Sequence, residues 1–399
     1  MNCPEFRRDR REARLELDTV MPRTIAAHRC LLLLILSFSF AANLSAQAAP
    51  EAAATSTFSA EKRAKIESAA QRFISSTSTP GVSVSVVLDG KTVWAQGFGK
   101  ADLENSVPVS PETLFRLASV SKTMTAIAIL QLVERGKLAL DAEVQTYCPA
   151  FPKKEWPITT RQLLGHLGGI RHYRPDGKGD VPGDSARHFA SMEESLTLFA
   201  GDPLVAEPGT KFNYSTYGYT LLGCVLEGAG HQKYIDYMRA NIFDPAGMRI
   251  TQTDDNFAII AHRTRWYHKE QSGPVKNAGV LDSSYKIPGG GFISSAEDMA
   301  RYEEAILADK LVKRSTRDLM WTSGKTSDGK ETGYGLGWGL SSKFGLHLIS
   351  HSGGQQGTST DILLAPDRQA AIVVLANMDN VDAGALSTEV LKIVLDLRN

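Results

Sequence analysis

Ser119 and Lys122 are the residues whose type and spacing most directly suggest chemistry. On a helix, two residues three positions apart share a face, with Cβ atoms roughly 5–6 Å apart. A serine hydroxyl needs an adjacent base before it can attack a carbonyl, and a lysine amine can act as that base once burial lowers its pKa. The spacing therefore predicts a nucleophile and its base, although a capping serine beside a solvated lysine gives the same pattern.

The elements that must position this pair can be predicted from hydrophobic periodicity. Apolar residues follow Lys122 at helical spacing, which predicts a helix from Ser119 to Glu134 that ends before Gly136. The first turn of that helix offers backbone N–H groups for a developing oxyanion. A further helix is expected over residues 60–75, followed by a hairpin of strands around a turn at Asp89-Gly90. Near the C-terminus the pattern predicts strands and then a final helix, at Gly335–Leu340, Leu346–His351, Thr360–Leu364, Ala370–Leu375 and 383–397.

Between about residues 138 and 311 the pattern is mostly helix and loop. Helices are expected at Ile158–His166, Thr216–Glu227 and Ser295–Leu307, an exposed loop at Tyr173–Ser185, and a tight turn at Pro288–Phe292. Strands at both ends that enclose a helical insertion predict an α/β (α+β) fold. Its antiparallel sheet would be formed by both chain ends and flanked by helices.

Residues 1–48 have the character of a targeting segment. A basic stretch precedes the apolar run Cys30–Phe40, and Ala46-Gln47-Ala48 fits a cleavage signal, with Met21 as an alternative start. We expect a tether over 49–58 and one catalytic domain over 59–399. This predicts a periplasmic or secreted mature protein without stable membrane insertion, whereas the alternative is an uncleaved membrane anchor.

The composition excludes several classes of function. With 44 basic and 44 acidic residues the formal net charge is zero, so no nucleic-acid partner is expected. Of the four cysteines only Cys148 and Cys224 lie outside the expected targeting segment, which is too few for a metal cluster or a disulfide framework. Cys224 lies within an apolar helical run and is expected to be a core residue rather than a disulfide partner. The histidines form no His-x-x-x-His pair on a predicted helix, so we expect neither a metal nor another cofactor.

Two further segments, Phe212–Tyr219 and Ser350–Gly354, complete a recognisable set with Ser119–Lys122. Together they resemble the three motifs of the serine β-lactamase and penicillin-binding D-Ala-D-Ala peptidase superfamily. The flanking blocks are similar to the branch that holds class C β-lactamases, D-amino-acid peptidases and related esterases; they lie at residues 162–170, 243–248, 289–298 and 334–338. Within that branch, residues 170–173 and 214–219 are most similar to the mitochondrial β-lactamase-like serine protein and its bacterial relatives.

The resemblance implies a role for each matching position. Ser119 would attack a carbonyl and form an acyl-enzyme, Lys122 would help to remove its proton, and Tyr214 would shuttle protons to the leaving group. His351 stands where many relatives have a lysine. The backbone N–H groups of Ser119 and Gly354 would form the oxyanion hole. Thr216, Ser352 and Gly353 would line the substrate site.

Two departures from the family pattern bear on the substrate. Thr216 stands where most relatives have asparagine, and His351 is a weaker cation than lysine at neutral pH. A cation near Tyr214 would favour its phenolate, and we expect that effect to be smaller with histidine. If His351 became protonated toward pH 6, it would help to hold an anionic substrate.

The leading interpretation is a serine hydrolase that acts on an ester, amide or peptide substrate, with weak β-lactamase activity as a side reaction. An assembly protein that has lost or reduced catalysis, and forms filaments, is the alternative from another class. A homo-oligomer is compatible with either interpretation.

Overall fold

The computed structural model describes residues 58–174, 187–270 and 273–398, which all belong to one compact unit, Ser56–Asn399. The expected targeting segment, nearly all of the expected tether and most of the expected loop at Tyr173–Ser185 lie outside the described residues. Phe58, the last residue of the expected tether, is buried in the core beside the first helix.

The secondary structure follows the predicted order. The helices are α1 (Ala60–Thr77), α2 (Ser121–Glu134), α3 (Thr160–Leu164), α4 (Met192–Leu196), α5 (Thr216–Gly230), α6 (Tyr234–Met238), α7 (Asp244–Ala246), α8 (Ile287–Gly290), α9 (Ala296–Leu307), α10 (Arg314–Met320) and α11 (Ala383–Leu395). The strands are β1 (Gly81–Leu88), β2 (Lys91–Asp102), β3 (Val107–Pro108), β4 (Phe115–Arg116), β5 (Gln252–Thr253), β6 (Tyr267–His268), β7 (Lys276–Asn277), β8 (Phe292–Ser294), β9 (Gly339–Lys343), β10 (Leu346–Gln355), β11 (Thr358–Ala365) and β12 (Ala370–Ala376).

The main sheet is built from both ends of the chain, as predicted. Its strand order is β3-β2-β1-β12-β11-β10-β9, with antiparallel pairing throughout. The N-terminal hairpin joins the C-terminal strands where β1 pairs with β12, in a register that places Val84 opposite Val374. The predicted fold class is therefore confirmed.

Both faces of the central strands are buried, which explains their nearly continuous apolar sequences. In β12, Ile372 and Val374 pack with α1 and α11, whereas Val373 and Leu375 contribute to the larger core on the opposite face. Successive strand residues point to opposite faces, so one apolar run serves two hydrophobic layers. The larger core continues into the helical part of the chain and includes α2 and α5.

Three predictions of local structure are wrong. The segment Gly335–Leu340 is mostly turn, because Gly337 has a left-handed φ of 89°, and the strand begins only at Gly339. Cys224 is not an unpaired core residue, since it forms a disulfide with Cys148 across a sequence separation of 76 residues. The expected tight turn at Pro288–Phe292 is the short helix α8 followed by β8. Within the described ranges, we find no helix that is both long enough and apolar enough to span a membrane.

Candidate functional site

The turn that carries Ser119 is held against the sheet. Residues Ala118–Val120 form a single 3-10 turn that leads directly into α2. Ala118 has a φ of 47°, a left-handed conformation that non-glycine residues rarely adopt and that costs about 1 kcal/mol or more. Gly353 of β10 makes the close approach possible, because a Cβ there would lie 2.3 Å from the Leu117 carbonyl oxygen. This contact holds the next residue, Gly354, beside the nucleophile turn.

Ser119 and Lys122 are in direct contact. The Lys122 Nζ lies 3.0 Å from Ser119 Oγ, 3.2 Å from Thr216 Oγ1 and 2.6 Å from the carbonyl oxygen of Gly289. Lys122 is completely buried, whereas Ser119 remains partly exposed. The amine is therefore fixed by α5 and α8 under a hydroxyl that a substrate can reach.

The environment of Lys122 favours its neutral amine. Burial, followed by the positive charge of Lys286, lowers the pKa of Lys122 well below its ordinary value. A buried ammonium loses its hydration, so desolvation disfavours the charged form. The three groups in contact with Nζ are a neutral carbonyl and two hydroxyls, with no carboxylate among them to stabilise the ammonium.

Tyr214 lies beside this pair at the start of α5. Its ring centroid is 4.9 Å from Lys122 Nζ. Burial raises the pKa of the Tyr214 phenol far above its ordinary value, and a hydrogen bond with the Ser119 side chain offsets this only in part. Although we expected nearby cations to favour the phenolate, desolvation dominates, so Tyr214 is a neutral phenol that can donate a proton.

His351 has a different environment from the one expected. It is buried, and its Nδ1 lies 2.7 Å from the Ser352 carbonyl oxygen, so Nδ1–H donates there. Its Nε2 then accepts from the Tyr334 hydroxyl at 2.9 Å. Burial, followed by the charge of Lys122, lowers the pKa of His351 to about 3. The expectation that His351 becomes a substrate-binding cation near pH 6 is therefore wrong.

The remaining predicted residues fall into two groups. Ser352 and Gly354 are exposed at the end of β10, where a substrate can reach them. Thr216 is buried, and its hydroxyl accepts a hydrogen bond from Lys122, so it supports the base instead of facing a substrate. Gly353 serves the packing of β10 against the nucleophile turn.

Several residues of the site were given no role in the sequence analysis. His166 lies under Tyr214, with ring centroids 4.3 Å apart, and its Nδ1 accepts from the Ser215 N–H. His172 accepts from the Thr216 N–H and meets the Tyr214 ring edge-on. Tyr334 fixes His351. These residues occupy or adjoin the flanking blocks of the family resemblance, which was the available signal, but spacing alone does not assign a contact.

Comparison with known proteins decides the family. The Beta-lactamase family matches residues 64–395 of the chain. The chain belongs to the beta-lactamase family of serine hydrolases. The resemblance described from the three motifs is thus confirmed, and the arrangement of Ser119, Lys122 and Tyr214 belongs to a member of this family.

Proteins similar to this beta-lactamase-family chain occur in a mammal, a bacterium and an archaeon. Serine beta-lactamase-like protein LACTB, mitochondrial, of Homo sapiens is 33% identical over 420 residues, which cover 79% of this chain and 76% of that protein. Penicillin-binding protein 4* of Bacillus subtilis (strain 168) is 27% identical over 308 residues, covering 73% and 66%. The structure of the octameric penicillin-binding protein homologue from Pyrococcus abyssi superposes with a TM-score of 0.73 at 28% identity, covering 84% of this chain and 78% of that one.

Proposed function

We propose that this serine hydrolase works through an acyl-enzyme on Ser119 and cleaves an ester, amide or peptide. The observation that carries the proposal is the 3.0 Å contact between Ser119 Oγ and the buried Lys122 amine. A hydroxyl in contact with a neutral amine has the base it needs. The family match supports a serine hydrolase, while the substrate and the covalent intermediate are our proposal.

The reaction follows from the positions of the groups. The Lys122 amine takes the proton from Ser119 Oγ as the oxygen attacks the carbonyl carbon. Backbone N–H groups of Ser119 and Gly354 stabilise the negative charge on the carbonyl oxygen. As the bond to the leaving group breaks, Tyr214 gives its phenolic proton to that group and recovers one from Lys122. Water then attacks the acyl-enzyme, and Ser119 regains its proton.

The environment of His351 and Thr216 argues for esters or peptides over β-lactams. A site for the β-lactam carboxylate needs a cation and an amide donor. His351 is neutral and engaged through both ring nitrogens, and the Thr216 hydroxyl is bound to Lys122. We therefore infer slow turnover of penicillins and cephalosporins.

The non-catalytic assembly alternative has less support. Ser119, Lys122 and Tyr214 are all retained and are in contact, which a purely structural protein would not require. Self-association remains compatible with catalysis, since the homologue from Pyrococcus abyssi is described as octameric. Light scattering on the purified protein measures the oligomeric state directly.

We also propose that the mature protein resides in the periplasm or is secreted. The signal-like sequence of residues 21–48 supports this location, and so does the Cys148–Cys224 disulfide, since disulfides persist in oxidising compartments. N-terminal sequencing of the periplasmic protein should give a start near Ala49. A protein that keeps residues 31–40 and sediments with membranes would contradict the proposal.

Hydrolysis of a p-nitrophenyl ester and of a matched anilide tests the assigned roles. Ser119→Ala and Lys122→Met should each lower kcat/KM for both substrates by about a thousandfold or more. Tyr214→Phe should affect the anilide more than the ester, because p-nitrophenolate leaves without needing a proton. Wild-type rates in Ser119→Ala would overturn the proposed function.

A further inference from the structure

Lys286 is a buried cation for which the described residues provide no counterion. Only 4% of its surface is exposed, and within residues 58–174, 187–270 and 273–398 its ammonium makes no hydrogen bond and no ion pair. Its Nζ lies 5.4 Å from the centroid of the Tyr285 ring and 5.8 Å from that of Tyr173. Lysine is rarely buried unless it is paired, so the missing partner requires an explanation.

Asp254, the carboxylate that acts on Lys286 in the described part of the chain, is already paired. Asp254 bonds to Arg116 at 2.6 Å and to Arg263 at 3.4 Å, and both Arg116 and Asp254 are almost completely buried. Among the described residues, the charged and titratable groups around Lys286 are Arg116, Asp254, Lys122, Tyr173 and Tyr285. Burial and the Arg116 charge, against the weaker effect of Asp254, lower the pKa of Lys286 to about 7. An anion would relieve this local excess of positive charge.

The position of Lys286 ties it to the active site. It lies three residues before Gly289, whose carbonyl oxygen accepts from Lys122, and its charge acts on Lys122. Tyr173, one of the two rings beside it, stacks on His172, and His172 in turn meets the Tyr214 ring. Lys286 therefore belongs to the wall of the site that carries the nucleophile and its base.

Gln355 provides a second donor without a partner on the same wall. Its Nε2 is buried and has no hydrogen-bond partner in the described part of the chain. Its side-chain oxygen lies 3.6 Å from the position that a Cβ on Gly290 would occupy, which places Gln355 against the segment that begins at Lys286. Gln355 also follows Gly354 directly, at the proposed oxyanion hole.

We propose that Lys286 and Gln355 form a subsite that binds a carboxylate carried by the acyl part of the substrate. The subsite rests on the proposed function and narrows its substrate class to acyl donors with an anionic group. Both side chains donate hydrogen bonds, and Lys286 adds the charge that a carboxylate requires. We assign the acyl part because the leaving group departs beside Tyr214, whereas the rings that lie beside Lys286 are those of Tyr173 and Tyr285.

The test compares p-nitrophenyl esters that differ only in the acyl end. The glutarate and adipate monoesters carry a carboxylate, and the glutaramate and adipamate esters replace it with a neutral amide of the same size. In the wild type, kcat/KM should favour the charged ester. Lys286→Met should lower the charged-to-neutral ratio by about tenfold or more, since a hydrogen bond to a charged group is lost. Lys286→Arg should keep part of the preference for the charged ester, and Gln355→Leu should reduce this preference.

The charged-to-neutral ratio of kcat/KM separates binding of the carboxylate from a general effect on Lys122. A general effect would change kcat/KM for both esters by the same factor and leave the ratio unchanged. Lys343→Met, at an exposed position on β9, is the control and should leave the ratio unchanged. The wild type provides a second measurement that needs no variant. Adipate should inhibit hydrolysis of a neutral ester more strongly than adipamide, and more strongly at about pH 6 than at about pH 8.5, because Lys286 is protonated at the lower pH.

The outcomes distinguish the two proposals. An unchanged ratio in Lys286→Met, or equal inhibition by adipate and adipamide, would overturn the subsite. If Ser119→Ala nevertheless abolished hydrolysis of every ester in that experiment, the proposed function would stand. Wild-type hydrolysis by Ser119→Ala would overturn the function and, with it, the subsite.

Discussion

Burial acts on Lys122, Tyr214 and His351 in the same direction, because it drives each side chain toward its neutral form. The consequences differ with the chemistry of each group. A neutral amine is a base, a neutral phenol is an acid, and a neutral imidazole no longer provides a cation. Burial of the site thus prepares Lys122 and Tyr214 for proton transfer. It also prevents His351 from binding an anion through a positive charge.

The neutral state of His351 makes folding sensitive to acid. Its pKa is about 3 in the folded protein and near 6.5 when unfolded, so the unfolded chain binds more protons between these values. The free energy of unfolding should therefore fall as the pH falls below about 6.5, by about 1.4 kcal/mol per unit for this group alone. Urea unfolding at about pH 7 and about pH 5 measures the loss.

Between about pH 7 and about pH 5, the free energy of unfolding of His351→Gln should fall by about 2 kcal/mol less than that of the wild type, since glutamine does not titrate. His347→Gln is the matched control, because His347 is on the same strand with 81% of its side chain exposed. Equal acid sensitivity of the wild type and His351→Gln would contradict the neutral, buried state of His351.

Substrate preference is also a property of single residues. His351→Lys combined with Thr216→Asn restores the two groups that relatives place in these motifs. The double variant should raise kcat/KM for a chromogenic cephalosporin relative to a p-nitrophenyl ester, because lysine holds its proton more strongly than histidine and asparagine supplies an amide donor. Cephalosporin hydrolysis by the wild type at roughly 10⁶ M⁻¹s⁻¹ or more, as in an efficient enzyme, would show that these residues do not control the choice.

At the scale of elements, the site depends on how closely α8 approaches α5. A Cβ on Gly289 would lie 2.7 Å from the Thr216 side chain and 3.1 Å from its carbonyl oxygen. Gly289→Ala should therefore displace the carbonyl that holds Lys122 and lower kcat/KM by about a hundredfold, as expected for a shift of about 1 Å.

Gly290→Ala is the matched control for that change. A Cβ on Gly290 meets its nearest neighbours at 3.6 Å, which is ordinary van der Waals contact. Gly290→Ala should keep most of the activity on a neutral ester, and circular dichroism should show that both variants are folded. Equal activity of the two variants would contradict the role assigned to the Gly289 carbonyl.

The elements also show which features the sequence could predict. The sequence alternates or is apolar over residues 346–351 and 370–375, where strands were predicted. The helix predicted at Ile158–His166 begins with the capping pair Thr159 and Gln162. The end of β10 was not predicted, because Gly353 and Gly354 have low strand propensity. They remain in the strand since β11 pairs with them at Thr360 and Ser359.

At the scale of the whole molecule, contacts distant in sequence bring the site together. Ser119, Tyr214 and His351 could be predicted from short motifs. The pairing of Cys148 with Cys224, and the lack of a counterion for Lys286 among the described residues, depend on the folded neighbourhood. Local patterns report propensity and periodicity, but desolvation at Lys122 or His351 is produced by several elements at once. The charge states of the site were therefore the part that the sequence could not predict.

The central claim is that Ser119, activated by Lys122, forms a covalent acyl-type adduct. Intact mass spectrometry after treatment with a fluorophosphonate probe, followed by peptide mapping, tests it most directly. We expect one adduct on Ser119 in the wild type and in the control Ser121→Ala, and none in Ser119→Ala or Lys122→Ala. A mapped adduct on another residue, or full labelling of folded Ser119→Ala, would show that Ser119 is not the nucleophile.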